Sequence, residues 1–173
     1  MSLESLDGLF LNELKDVYNA EKQILKALPR MAKAANAEAL RQAFTKHLRE
    51  TENQVRRLEQ IFKSLGQTPR GKKCKGMEGL IEEGKEILEE DGAEEVIDAA
   101  LISAAQRVEH YEIAAYGCLR TYAQLLGYED ADRLLEQTLR EEEATDKALT
   151  ALGEGGINQA AVAVGADQDT EDE

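Results

Sequence analysis

The residues in this chain that could do chemistry are carboxylates and a histidine set into apolar helical stripes. In Arg-Val-Glu-His-Tyr-Glu-Ile-Ala-Ala-Tyr (Arg107–Tyr116) and its surroundings, Leu101, Ala105, Val108, Ala115, Leu119 and Leu126 recur at helical spacing. At about 100° per residue, Glu112 falls inside that arc and Glu109 at its margin. A carboxylate buried without a partner costs several kcal/mol, so an acid on such a stripe is protonated, ion-paired or bound to a cation. The same misplacement recurs elsewhere. Glu21 lies in the middle of the face formed by Leu14, Val17, Leu25 and Leu28. His47 points along the stripe of Leu40, Phe44, Val55, Leu58 and Phe62, with Glu50 near the same edge. Glu142 is central to Leu135, Leu139 and Leu149, with Asp146 one turn later on that face.

Four helices that each aim oxygen or nitrogen ligands at one centre describe a metal site in a bundle core. Two divalent cations are neutralised by about four inward carboxylates, which bridge the ions and keep hard oxygen donors around them while leaving a position for dioxygen or peroxide. The expected ligands are Glu21, His47, Glu50, Glu109, Glu112, Glu142 and Asp146. The expected cofactor is a pair of metal ions, iron first and manganese as the contender. Without metal these acids repel one another, so metal binding should stabilise the fold. Taken singly, each Glu has a blander reading as a margin residue that snorkels or pairs with Lys or Arg. The bland account of the whole set is a buried Glu–His–Arg network. Agreement among four helices favours the metal. His110 sits about half a turn from Val108 and reads as outer-face, at a dimer contact and not a ligand. Glu141 replaces Glu142 if its helix is rotated. Tyr18 and Tyr116 flank the centre, where they could donate to the ligands from behind or serve as radical stations; the preferred reading is core tyrosines with satisfied hydroxyls.

The elements that position these residues are all helices. Charged residues make up 32% of the 173, aromatics 5%, and there are only 2 Pro, a composition that favours an all-helical protein. Helix A keeps its period from Leu3 and should kink at Pro29, with Arg30–Ala35 able to continue helically beyond the bend, and a turn at Asn36-Ala37. Helix B runs from about Ala37 to Leu65, closed by Gly66 and followed by Pro69. A basic loop, Pro69–Lys75, and a short helix, Met77–Glu90, then lead past Asp91-Gly92 to helix C over Ala93–Leu126, ended by Gly127. Helix D covers Asp130–Leu152, ended by Gly153. The long connection lets helices B and C run parallel. The expected organisation is one bundle domain over residues 1–153 and a solvated, mobile acidic tail over 154–173.

A formal charge of -14 argues against general phosphate-backbone binding, so nucleic acid is not an expected partner. The N-terminal residues lack a basic segment followed by an apolar one, and no stretch is apolar for the ~20 residues a membrane span needs. A cytoplasmic location is expected. Cys74 and Cys118 are read as free thiols.

Helix by helix, the sequence resembles the ferritin-like superfamily. Tyr18-Asn19-Ala20-Glu21-Lys22, His47-Leu48-Arg49-Glu50-Thr51, Val108-Glu109-His110-Tyr111-Glu112 and Leu139-Arg140-Glu141-Glu142 resemble the bacterial YciF/YciE group within it, over about Leu6 to Leu152. The resemblance implies an antiparallel four-helix bundle with a long B-to-C crossover, a homodimer, and a link to bacterial stress responses without a settled activity. It also implies bridging roles for Glu21 and for Glu109 or Glu112. Two departures stand out. Helix B carries His47-x-x-Glu50, the reverse of the superfamily's usual Glu-x-x-His, and helix D offers Glu142-x-x-x-Asp146 with no histidine. A site with one imidazole is harder and richer in oxygen than the two-histidine form, which brings manganese into contention. The function expected is redox chemistry with oxygen or peroxide at a dinuclear centre. The rival is a non-enzymatic dimeric bundle with a degenerate site, acting through interaction or protection.

Overall fold

The structure is a computed structural model describing residues 4–168, and among these there are helices and no strand. In chain order they are α1 (Leu6–Ala34), α2 (Glu38–Ser64), α3 (Lys75–Glu89), α4 (Glu94–Leu126), α5 (Glu129–Leu152), a single π turn over Gly153–Ile157, and α6 (Asn158–Gln168). The bundle is formed by α1, α2, α4 and α5, and α3 lies on the crossover. No helix among the described residues is long and apolar enough to cross a membrane.

Local signals set most of the boundaries. The Ser5 hydroxyl accepts from the Gly8 amide at 3.0 Å and starts α1, satisfying an N–H that has no partner inside the helix. At the ends of α2 and α4, Gly66 (φ 65°) and Gly127 (φ 73°) adopt the left-handed conformation. The following amides, of Gln67 and Tyr128, each return to a carbonyl of the last turn at 2.9 Å. Pro29 lies within α1 but does not end it, and the helix continues to Ala34.

Helix directions follow from who meets whom. Tyr128, just past α4, donates to Asp7 at the start of α1, and Asp98, in the first turns of α4, meets the residues just past the end of α1. These two helices are therefore antiparallel. Between α2 and α5, His47 meets Thr145 while Arg57 meets Thr138 and Glu141, so this pair is antiparallel too. With α1 and α2 joined by a tight corner, α2 and α4 run parallel, as the long crossover allows.

The core has two apolar layers. One contains Phe10, Leu14, Leu58, Phe62, Leu119 and Leu135. The other contains Leu28, Leu40, Phe44, Met77, Leu101 and Leu149. On all four bundle helices the buried residues between these layers are polar.

Beyond α5, residues 154–168, assigned by composition to the tail, continue as the π turn and α6. Gly153 does not stop the helix but carries it into the π turn, where Gly156 at φ 149° redirects the backbone. Ile157 and Leu152 pack on the second apolar layer, which anchors the segment and leads α6 against α4. Residues 169–173, with most of the acidic terminus, lie outside the described residues. Cys74 is buried and Cys118 exposed, both as free thiols.

The corner between α1 and α2 depends on a buried acid of α4. Asp98 accepts from the backbone amides of Asn36 and Ala37 at 2.8 and 2.7 Å and is 3% exposed. Asp98→Ala should therefore lower unfolding free energy by about 1–3 kcal/mol, with Asp98→Asn in between, as read by urea denaturation. A change within about 0.5 kcal/mol, typical of an uninvolved surface site, would contradict this role.

Candidate metal centre

Between the apolar layers the bundle holds a layer of acids. One ligand atom each from His47, Glu109, Glu112 and Glu142 can be chosen so that all lie within 4.8 Å of one another, and all four residues are buried. Three helices supply them: α2, α4 and α5. The fourth, α1, supplies Glu21, fully buried, which accepts a hydrogen bond from the Tyr116 hydroxyl and lies against Glu112. The i,i+3 spacing of Glu109 and Glu112 puts both on the inner face of α4, so both acids left open as alternatives by the sequence are present.

The imidazole is oriented from behind. His47 Nδ1 lies 3.3 Å from the Thr145 hydroxyl and 3.9 Å from Glu50 Oε2. Nε2 faces inward, 3.3 Å from Glu109 Oε1 and 3.8 Å from Glu142 Oε2. A proton held on Nδ1 leaves the Nε2 lone pair directed at the acids, the arrangement a ligating histidine needs.

Each of the four acids keeps at least one carboxylate oxygen without a partner. Among the described residues, every buried side-chain nitrogen or oxygen without a hydrogen bond belongs to this layer: Glu21 Oε2, His47 Nε2, Glu50 Oε2, Gln54 Oε1, Glu109 Oε2, both oxygens of Glu112, and Glu142 Oε2. Burial pushes the carboxyls of Glu21, Glu109 and Glu112 well above the ordinary carboxylate range, and repulsion from neighbouring acids, Glu142 among them, adds to the effect. Unpartnered groups converging on one point are what a cation site presents before loading, and the donor set of carboxylates with one imidazole suits iron or manganese.

Two expected ligands stand at the rim. Glu50 is half-buried and held by Lys46 at 2.6 Å. Its carboxyl is lowered, chiefly by the neighbouring His47 imidazole and then by Lys46 against the opposing effect of burial. Asp146 accepts from Gln106 at 3.0 Å and lies 3.2 Å from His110 Nε2. Neither belongs to the converging set. His110 is on the outer face as expected, its side chain 69% exposed.

Other positions were not legible as site residues. Arg57 forms a two-pronged pair with Glu141, both contacts 2.6 Å, which turns Glu141 away and leaves Glu142 inward. Gln54 donates to Glu142 and to Glu141. Their signal was present as polar residues at helical spacing from His47 on α2, but spacing alone does not say which acid they hold. The Tyr18 hydroxyl donates to Glu59 at 2.8 Å, whereas that of Tyr116 donates to Glu21.

Comparison with known proteins agrees with this architecture. The model of a domain of unknown function, DUF892, matches residues 5–162. The chain belongs to this family. This DUF892 chain is 48% identical over 162 residues to Protein YciF of Escherichia coli K12, covering 93% of this chain and 98% of that protein. It superposes on the crystal structure of the E. coli stress protein YciF with a TM-score of 0.87, covering 90% of this chain and 99% of the other. YcfI from Rhodopseudomonas palustris gives a TM-score of 0.84 at 45% identity, over 86% of this chain and 95% of that one. A Xanthomonas campestris protein at 19% identity shares the fold, with a TM-score of 0.70 over 95% of this chain and 99% of that one.

The raised carboxyls make the metal-free protein sensitive to pH. Each binds its proton more tightly folded than unfolded, so the associated stability is complete below the ordinary carboxyl range and is lost as pH rises through the raised folded values. Glu50 acts in the opposite sense, but on acidification. Between about pH 5.5 and 8.5, where unperturbed acids stay ionised, the denaturation midpoint of metal-free protein should fall as pH rises, and Glu112→Gln should flatten that slope. A midpoint that rises with pH in the wild type would contradict the assignment.

Proposed function

We propose that this protein binds two divalent metal ions, iron or manganese, in the acid layer and uses them in the reduction of dioxygen or peroxide as part of a stress response. The carrying observation is that the orphaned buried polar atoms of the described residues all collect at one level of the bundle. Four carboxylates, from Glu21, Glu109, Glu112 and Glu142, match the charge of two divalent ions. His47 would be the single imidazole ligand, with Glu50 and Asp146 able to reach in from the rim by side-chain rotation. Bound there, a metal pair would supply the electrons that reducing dioxygen or peroxide requires.

The rest of the work falls to the chain. The apolar layers keep water from the acids and strengthen their electrostatic interactions. Thr145 and Glu50 hold the His47 ring so that Nε2 stays free. The Tyr116 hydroxyl donates a hydrogen bond to Glu21, and burial raises that phenol well above its ordinary value, so the proton stays on the tyrosine. Gln54 fixes the Glu142 carboxylate. YciF of E. coli is a stress protein, and the near-complete coverage of that protein by this chain supports extending the role here. A homodimer, implied by the resemblance, is part of the same reading and is tested by light scattering.

Protein purified without chelator should carry about two equivalents of iron or manganese per chain. Saturating metal should raise the Tm of the stripped protein by about 5–10 °C. Glu21→Ala and His47→Ala should lose bound metal and peroxide consumption together. A protein that is metal-free and unchanged in Tm by either ion would instead be the non-enzymatic scaffold.

A further inference from the structure

Beside the acid layer, between α1, α3 and α4, lies a cavity of about 360 Å³. Its walls are mostly aliphatic, with Leu28, Leu80, Leu88 and Val108 among them and Gln23 as a polar side chain of α1. At its inner end are His47 and Glu109, each buried and each carrying an unpartnered atom, Nε2 and Oε2. At its outer end are Lys26 and Arg30, both exposed and one turn apart on α1. Neither has an ion-pair partner among the described residues, and Glu109 is the sole acid lining the cavity. Lys85, which also lines the cavity, is paired with Glu82 at 2.7 Å; in a chain of formal charge -14, the two unpaired cations on α1 are a local departure from the surface.

Gly84 of α3 also lines the cavity, and a Cβ built there would meet nothing within 4 Å. Glycine inside a helix costs about 1 kcal/mol relative to alanine, and here it leaves the wall of the cavity open. At the roughly 30 Å³ that a water claims in the liquid, the space admits a ligand of about a dozen non-hydrogen atoms, within the range of small-molecule sites.

We propose that this cavity binds a medium-chain carboxylate. Its head group meets Lys26 and Arg30, its hydrocarbon body lies along the aliphatic walls, and its tail ends beside His47 and Glu109. The charge at the mouth selects an anion over a cation, and the walls select an alkyl body over a compact anion. The site deepens the oxidoreductase reading by naming a class of organic molecule that could lie beside the metal pair, but binding itself does not need a loaded centre.

Calorimetric titration of the purified full-length protein with decanoate, below its micelle concentration, tests this. Saturable binding is expected with one site per chain. Gly84→Leu, which fills the cavity and favours the helix, should weaken binding at least tenfold with an unchanged circular dichroism spectrum. Lys26→Ala combined with Arg30→Ala should weaken it several-fold, and decyltrimethylammonium and acetate should bind at least tenfold more weakly than decanoate. Glu21→Ala should keep decanoate binding while losing metal, so failure of the cavity proposal and failure of the metal reading give different results. No saturable binding, equal binding by Gly84→Leu, or equal binding of the cationic amphiphile would overturn the proposal.

Discussion

The structure is organised around an electrostatic problem: acids buried together where water cannot reach them. Glu21, Glu109, Glu112 and Glu142 are each no more than 2% exposed. Like charges at this distance in a medium of low dielectric repel far more strongly than on a surface. Replacing them with hydrocarbon would simplify the core and often stabilise such a site. The chain instead carries an acid layer across all four bundle helices, with an apolar layer on either side.

The surrounding structure holds that arrangement in register. The Asp98 carboxylate ties the α1–α2 corner to α4, fixing the level at which Glu21 and His47 face Glu109 and Glu112. On the opposite side, the Arg57–Glu141 pair and Gln54 link α2 to α5 and decide which acid of the Glu141-Glu142 pair points inward. These interactions commit charge and hydrogen bonds to orientation, and leave the inner oxygens free. That division, in which one oxygen of Glu21 and one of Glu142 are held while at least one oxygen of every inner acid stays unpartnered, separates this layer from an ordinary buried polar network, in which the members satisfy one another.

Much of this was legible in the sequence because a misplaced acid is a strong signal against a helical stripe. Glu21, Glu112, Glu142 and His47 stood inside the arcs and are buried together; Glu109, at the margin, is buried as well. Glu50 and Asp146 followed the same periodicity but sit at the edge, since a modest rotation of a helix carries a marginal residue to the rim, and Lys46, Gln106 and His110 give them partners there. The choice between Glu141 and Glu142 depended on Arg57, a contact across 84 residues that no local pattern contains. Helix ends marked by Gly66 and Gly127 were readable from local chemistry. The passage beyond Gly153 was not, because glycines and small residues say little about a segment held by Ile157 against a distant layer.

The claim beneath this account is that cations resolve the repulsion within the acid layer. The most direct measurement is anomalous X-ray scattering from crystals of protein purified without chelator, with data on either side of the iron and manganese absorption edges. The account predicts anomalous peaks among His47, Glu109, Glu112 and Glu142, with Glu21 beside them. An acid layer of the same geometry with no anomalous scatterer after soaking in either metal would contradict it.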